Sequence, residues 1–211
     1  MNAMATAAFI LVAYLMGSLS FAVIVSRAFG LPDPRTYGSG NPGATNVLRT
    51  GRRVAALLTL VGDGGKGWLA VFLAERLAAD YGVGPAGVAA CAAAVFLGHL
   101  FPVFFGFKGG KGVSTAGGIL LGVHLWLGLA TLATWVIVAA FFRYSSLASI
   151  IAAVFAPAYA FFMSRLGFPL GGMLPSILLM SALLVWRHKQ NILNLAAGKE
   201  GRIGERRDPP A

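Results

Sequence analysis

Three short polar stretches interrupt an otherwise apolar chain, and each holds residue types able to do chemistry. The first to read is Lys108–Thr115 (KGGKGVST). Successive glycines let consecutive backbone N–H groups point into one concavity, and the flanking lysines add point charges. Such a nest suits a phosphate or another oxyanion. A helix starting near Ser114 would add its N-terminal dipole. The spacing is not a Walker A loop, because Phe105 stands where the first glycine belongs and Gly112 replaces the hydroxyl residue. Lys108, Gly109, Gly110, Lys111 and Gly112 are therefore candidates for anion binding. The plainer reading is a flexible turn whose lysines only set topology.

The second stretch is Gly38–Asn46 (GSGNPGATN). It matches G-x-G-x-x-G literally, yet a dinucleotide fingerprint needs a preceding strand within a βαβ unit. Here an apolar span precedes it and Pro42 interrupts it, so dinucleotide binding is rejected. What remains is a loop where Gly38, Gly40 and Gly43 allow close backbone approach. Ser39, Asn41, Thr45 and Asn46 offer neutral hydrogen bonds, and Arg49 can grip a phosphate through two parallel bonds. The alternative is a tight turn whose Asn and Thr cap a helix.

The third stretch is His188–Asn191 (HKQN), whose outer members are spaced i, i+3 and share a helical face. His188 can donate to a phosphate, act as a base, or simply sit among head groups. His99 and His124 stand isolated in apolar runs and read as structural, and Cys91 among alanines reads as packing. Asp63 and Lys66 are ionisable residues inside a span, which by default suggests function. Three residues apart they can also neutralise each other, and a supporting role at the polar end of the site is expected. Apart from the tail, only Asp33 and Asp63 lie near these loops among the acidic residues. A two-metal site needs carboxylate clusters, so neither metal nor cofactor is expected. No histidine has Asp five positions on, which excludes an H-x4-D acyltransferase motif.

The elements that must position these groups follow from composition. The 211 residues are 57% hydrophobic and 11% charged, against about 25% charged in a soluble domain. A soluble enzyme is excluded, and so is a disordered chain. One cysteine allows no internal disulfide. The net charge of +10 would suggest nucleic acid in a soluble protein. In a membrane protein it reads as topology and affinity for anionic lipid, and no nucleic-acid partner is expected.

Apolar runs predict spans at Met4–Val25, Val54–Leu77, Val83–Phe107, Leu147–Met163 and Pro169–Trp186. Val113–Phe142 is too long for one span and short for two. Splitting it near Gly122–Trp126 puts 14 of the 17 basic residues on one side, whereas one span divides them evenly. The positive-inside bias favours the split. The expected fold is an all-α integral membrane protein of seven transmembrane helices, N-terminus outside and C-terminus cytoplasmic. A single domain fills 1–198, followed by a charged, solvated cytoplasmic tail at 199–211. All three polar stretches then fall at cytoplasmic helix ends, where a soluble substrate can meet one in the inner leaflet.

With these stretches in order, the chain resembles the bacterial integral-membrane acyl-phosphate:glycerol-3-phosphate acyltransferases of the PlsY type. GSGNPGATN with Arg49, KGGKGVST and HKQNI are similar to that family's three cytoplasmic motifs. Gly17–Ala22 (GSLSFA) and the D-x-x-K-G at Asp63 are similar as well. The resemblance implies acyl transfer from acyl phosphate to the sn-1 hydroxyl of glycerol 3-phosphate in the bacterial inner membrane. It implies that Arg49, Lys108, His188 and Asn191 hold glycerol 3-phosphate. Ser39, Asn41, Thr45 and the Gly109–Gly112 backbone would line the phosphate sites and reacting carbonyl, with Asn46 and Lys111 beside them. Partners would be both substrates, membrane lipid and the enzyme that makes the acyl phosphate. Either His188 or the departing phosphate takes the hydroxyl proton; the phosphate is preferred, since no carboxylate is placed to orient His188. The rival is a transporter or channel for a small phosphorylated anion, which predicts polar groups on both faces and at the midplane.

Overall fold

The computed structural model describes residues 2–204, and no strand occurs among them. Asn2 caps the first helix, α1 (Ala3–Gly17), accepting from the Ala5 N–H, while its own N–H donates to Gly82 at 3.0 Å. α1 does not run on as one straight span. It stops at Ser18 and restarts at Ser20 as α2 (Phe21–Ala28), bent by 42°. The GSLSFA segment is this break. The Leu19 carbonyl it releases is taken by the Lys66 ammonium at 2.6 Å, so a buried lysine satisfies what the helix gives up.

A loop carrying the five-residue helix α3 (Ala44–Leu48) leads to α4 (Arg53–Leu77), the longest helix. α5 (Pro85–Leu100) begins with proline in its first turn, where the missing N–H costs nothing. It ends before Pro102 rather than at Phe107, because proline cannot donate to the helix and disfavours helical geometry before it. A 3-10 turn, Val103–Phe105, follows. The long run after it is divided at His124, whose backbone is extended and whose ring accepts from the Trp126 N–H at 3.3 Å. The two pieces are α6 (Val113–Val123) and α7 (Leu125–Phe142). α8 (Ser145–Arg165) carries Pro157 internally. Gly171 and Gly172 take positive φ in the next turn, so α9 (Leu174–Arg187) starts later than Pro169. α10 (Lys189–Ala196) closes the helical order.

By length and apolarity α4, α5 with its following turn, α7 and α8 can each cross a bilayer, and the bent α1–α2 pair makes a fifth. α6 and α9 are shorter apolar helices of 11 and 14 residues. The chain is a multi-pass membrane protein. Leu57, Val61, Val136, Ile137, Phe141, Val154 and Phe162 are exposed outward, as lipid contact requires, while Phe96, Leu100, Ile119, Leu127 and Ile177 fill the interior. Helices meet through glycine. A Cβ on Gly118 would collide with the Gly64 backbone, which lets α6 lie directly on α4. Gly17 and Gly98 do the same between α1 and α5. Small residues at the contact are how membrane helices gain close packing without a hydrophobic drive.

The tail corrects an expectation. Over 199–204 it is still partly exposed but is tied to the bundle: the Ile203 N–H donates to the Arg143 carbonyl at 2.7 Å, and Ser146 donates to the Glu200 carboxylate at 2.6 Å. Residues 205–211 lie outside the described residues.

Candidate functional site

The loop of 33–46 is built around one amide. Asn46 is 2% exposed. Its Nδ2 donates to the Pro34 and Tyr37 carbonyls at 2.7 and 3.1 Å, and its Oδ1 accepts from the Ser39 N–H at 3.1 Å. Asn46 was expected to touch substrate; its hydrogen-bonding capacity is instead spent on shaping the loop. Gly38 needs its positive φ and its missing side chain here, since a Cβ would strike the Asn46 side-chain Oδ1. The brace leaves Ser39, Thr45 and Arg49 exposed, with Asn41 partly so. Among the described residues the Ser39 and Asn41 side chains have no hydrogen-bond partner. Thr45 reaches across to Ser145 at the start of α8, 3.5 Å away. Arg35 ties the loop to the next connection, pairing with Asp33 and donating to the Phe105 carbonyl at 3.2 Å.

The KGGKG loop packs against this one. The Gly110 α-carbon faces the Pro42 carbonyl and the His99 ring so closely that a Cβ would lie 3.1 Å from the former and collide with the latter. The nest is narrower than the motif suggests. The Gly110 N–H is taken by the His99 carbonyl at 3.2 Å. The Gly109 and Gly110 carbonyls accept from Arg187 at 2.8 and 3.2 Å. The Lys111 and Gly112 N–H groups and the first turn of α6 remain without backbone partners among the described residues. Gly112, at φ +90°, turns the chain into that helix. Carbonyls occupied by Arg187 and N–H groups left unpaired beside them are what an anion needs. Lys108 is exposed at the rim.

The third stretch closes the site. Lys111 Nζ donates to Asn191 Oδ1 at 2.6 Å, and Asn191 Nδ2 donates to Glu200 at 2.7 Å. Burial pushes the Lys111 ammonium below its ordinary pKa; Glu200 opposes this, while Arg187 and Arg49 add to it. His188 is buried, and its Nδ1 bonds the Leu184 carbonyl at 2.8 Å, so Nδ1 carries the proton. Burial pushes its pKa down to about 4, with the Leu184 bond opposing and Lys111 reinforcing the shift. The ring is therefore neutral near pH 7 and presents Nε2 as an acceptor. A carbonyl orients it, where a carboxylate had been sought.

Beneath the nest, Lys66 Nζ bonds Asp63 at 2.8 Å, His99 Nδ1 at 3.0 Å and the Leu19 carbonyl. Thr115 in α6 donates to the Asp63 carbonyl at 3.0 Å. The expected pair is present, and His99, read as merely structural, completes it. Arg187, Glu200, Ser146 and His99 are the site-shaping residues that the sequence reading passed over. In the sequence Arg187 reads only as a topology charge, and Glu200 falls in a charged stretch whose composition suggests a solvated end.

A family profile described as glycerol-3-phosphate acyltransferase matches residues 7–198. Glycerol-3-phosphate acyltransferases of Ralstonia nicotianae and Chromobacterium violaceum are 62% and 58% identical to this chain. The matches cover 97% of both chains for the former, and 95% of this chain and 96% of the relative for the latter. Among solved structures, PlsY (YgiH), an integral membrane glycerol 3-phosphate acyltransferase, superposes in its glycerol 3-phosphate form with a TM-score of 0.84 at 35% identity. That match covers 95% of this chain and 96% of that one. Its lysophosphatidic acid form gives 0.82 at 34%, with the same coverage.

Proposed function

This chain belongs to the glycerol-3-phosphate acyltransferase family, and we propose that it moves a fatty acyl group from acyl phosphate to the sn-1 hydroxyl of glycerol 3-phosphate. The products are 1-acyl-glycerol 3-phosphate (lysophosphatidate) and inorganic phosphate. The observation that carries this reading is convergence: Gly110 abuts Pro42, and Lys111 bonds Asn191, so three stretches far apart in sequence form one cationic, donor-rich cleft. Two phosphorylated substrates need such a place.

In the proposed reaction the hydroxyl oxygen attacks the acyl carbonyl carbon, the new ester C–O bond forms, and the C–O bond to phosphate breaks. The departing phosphate takes the hydroxyl proton and leaves as hydrogen phosphate, so charge and atoms balance without an external base. An acyl phosphate is already activated, and no covalent enzyme nucleophile is required. Protein groups then position the substrates and stabilise charge. Arg49, Lys108, His188 and Asn191 hold glycerol 3-phosphate, with His188 Nε2 accepting from a substrate hydroxyl. Lys111, the nest and the Ser39–Thr45 loop take the acyl phosphate. Asp63 and Lys66 support the nest, and the acyl chain lies between helices in the inner leaflet. The enzyme that makes the acyl phosphate is the partner such a donor requires.

The proposed topology has α1–α2, α4, α5, α6, α7, α8 and α9 as seven crossings, N-terminus outside, in the bacterial inner membrane with the cleft cytoplasmic. Contacts on the two ends of the bundle support it. Asn2 meets Gly82 and His124 meets Phe168 at one end, whereas Arg35, Lys111, Arg143 and Arg187 gather at the other. An anion transporter would need polar groups on both faces as well as at the midplane, whereas the three polar loops here meet at one end of the bundle.

The test is purified protein in detergent with palmitoyl phosphate and labelled glycerol 3-phosphate. Labelled lysophosphatidate should form with or without Mg²⁺; its absence under both conditions defeats the reading. The histidine-base version would replace the phosphate-base version if His188→Gln kept substrate binding yet lost turnover together with one pH-rate limb.

A further inference from the structure

Lys66 has three N–H donors and no acceptor. Its three neighbours within hydrogen-bond distance are the Leu19 carbonyl, Asp63 Oδ1 and His99 Nδ1, at 2.6, 2.8 and 3.0 Å. Each N–H has one acceptor, so Nδ1 of His99 must offer its lone pair, and the ring proton sits on Nε2. His99 is 7% exposed, and Nε2 has no hydrogen-bond partner among the described residues. Among the described residues only Ser26 Oγ and Tyr37 OH are fully buried side-chain atoms without a partner, so Nε2 of His99 keeps a small opening to the outside. The Nε2 edge of the ring packs directly on Gly110, where it fills the place a Cβ would take, with the Pro42 carbonyl close by. The ring edge therefore lies at the seam between the KGGKG and GSGNPG loops.

We propose that His99 is a further substrate-binding residue: its Nε2–H donates to a phosphate oxygen of acyl phosphate held between these two loops. This rests on the acyltransferase reading given above. The Asp63–Lys66 pair then has a specific task. Asp63 keeps Lys66 in place, and Lys66 fixes the tautomer that points a donor at the anion. Glycine at 110 is required because a side chain there would displace the His99 ring from the seam between the two loops.

The proposal is tested by kinetics of full-length protein in detergent with palmitoyl phosphate and glycerol 3-phosphate. His99→Leu removes the donor at similar volume. It should raise KM for palmitoyl phosphate, and the Ki of inorganic phosphate as product inhibitor, by about tenfold to a hundredfold, the range of a hydrogen bond to a charged group. KM for glycerol 3-phosphate should stay within about twofold. His99→Gln, which can place an amide N–H near the Nε2 position, should recover most of the loss. Unchanged palmitoyl phosphate KM and phosphate Ki in a folded His99→Leu protein would overturn the proposal, as would equal loss for both substrates. Should His99→Leu not fold, histidine-labelled wild-type protein decides by nitrogen NMR. An Nε2–H tautomer whose resonance moves on adding inorganic phosphate supports the donor role. An Nδ1–H tautomer, or no movement at saturation, removes it. Absence of wild-type turnover would instead count against the acyltransferase reading, while the phosphate-dependent NMR shift remains a separate readout of His99.

Discussion

At the residue scale the cleft separates charge from acceptance. Arg49, Lys108 and Lys111 are the cations, while His188 is held neutral with its free nitrogen an acceptor. The sign of its pH behaviour follows. The folded ring titrates at about 4, below the ordinary histidine value of about 6.5. The unfolded chain therefore binds the proton first, and its stabilising contribution is complete above pH 6.5 and lost as pH falls toward 4. Wild-type kcat/KM should show no acid limb near pH 6.5 beyond the one set by ionisation of the substrate phosphates, and unfolding temperature should drop between pH 6.5 and 4 more steeply than in His188→Gln. Matched pH titrations of rate and melting check both. Lys111→Ala and Arg49→Ala should each lose about a hundredfold or more in kcat/KM, in keeping with loss of a charge-assisted contact to a developing anion. Both should still insert normally, which membrane fractionation reads directly; wild-type turnover in both would refute the phosphate assignment. Asn46→Ala is expected to act differently, lowering stability and both substrate affinities together, because its amide holds the loop and not a ligand.

At the element scale the anion nest depends on a helix end other than its own. Arg187, the last residue of α9, grips the Gly109 and Gly110 carbonyls and lies over the Phe101 ring. Lysine cannot reproduce a planar fork. Arg187→Lys should raise KM for acyl phosphate about tenfold, with a smaller effect on glycerol 3-phosphate, as initial-rate kinetics with each substrate varied would reveal. The helices beneath are positioned by absent side chains. Gly118→Val pushes a branched side chain into the Gly64 backbone, and overpacking at a close contact costs about 1–3 kcal/mol. A lower melting temperature in detergent is the expected result, with loss of the nest because α6 carries Gly112 at its start. Much of this was readable from the chain. Glycine-rich polar stretches announced the loops, and charge counting placed the break between α6 and α7, where His124 lies. The GSLSFA break was not readable as a break, because its cause is a lysine on α4 that satisfies Leu19. Pairings such as Arg187 with Gly109 escape periodicity altogether, since they join residues 78 apart.

At the scale of the whole molecule the same blindness applies to the tail. A charged segment reads as solvated when its partners are unknown, yet Glu200 bridges Ser146 and Asn191, and the backbone at 203 pairs with Arg143. Charge placed on one face does what a tertiary contact cannot, because the membrane itself sorts basic residues. The proposed seven-crossing topology thus rests on the sorting of the basic residues and on the ends that touch. It has a direct test, since the single cysteine, Cys91, is 1% exposed and gives no background to thiol labelling. Single cysteines introduced at Asp80, Trp126 and Leu166 should react with a membrane-impermeant maleimide in intact spheroplasts. Those introduced at Thr36 and Gln190 should react only after the membrane is opened. Trp126 and Gln190 decide the parity. Were Val113–Phe142 one crossing, every later segment would invert, so a cysteine at Gln190 would label from outside and one at Leu166 would not. The short α6 is then the element on which the placement of the cleft depends: with it as a crossing, all three polar stretches face the compartment where glycerol 3-phosphate is dissolved.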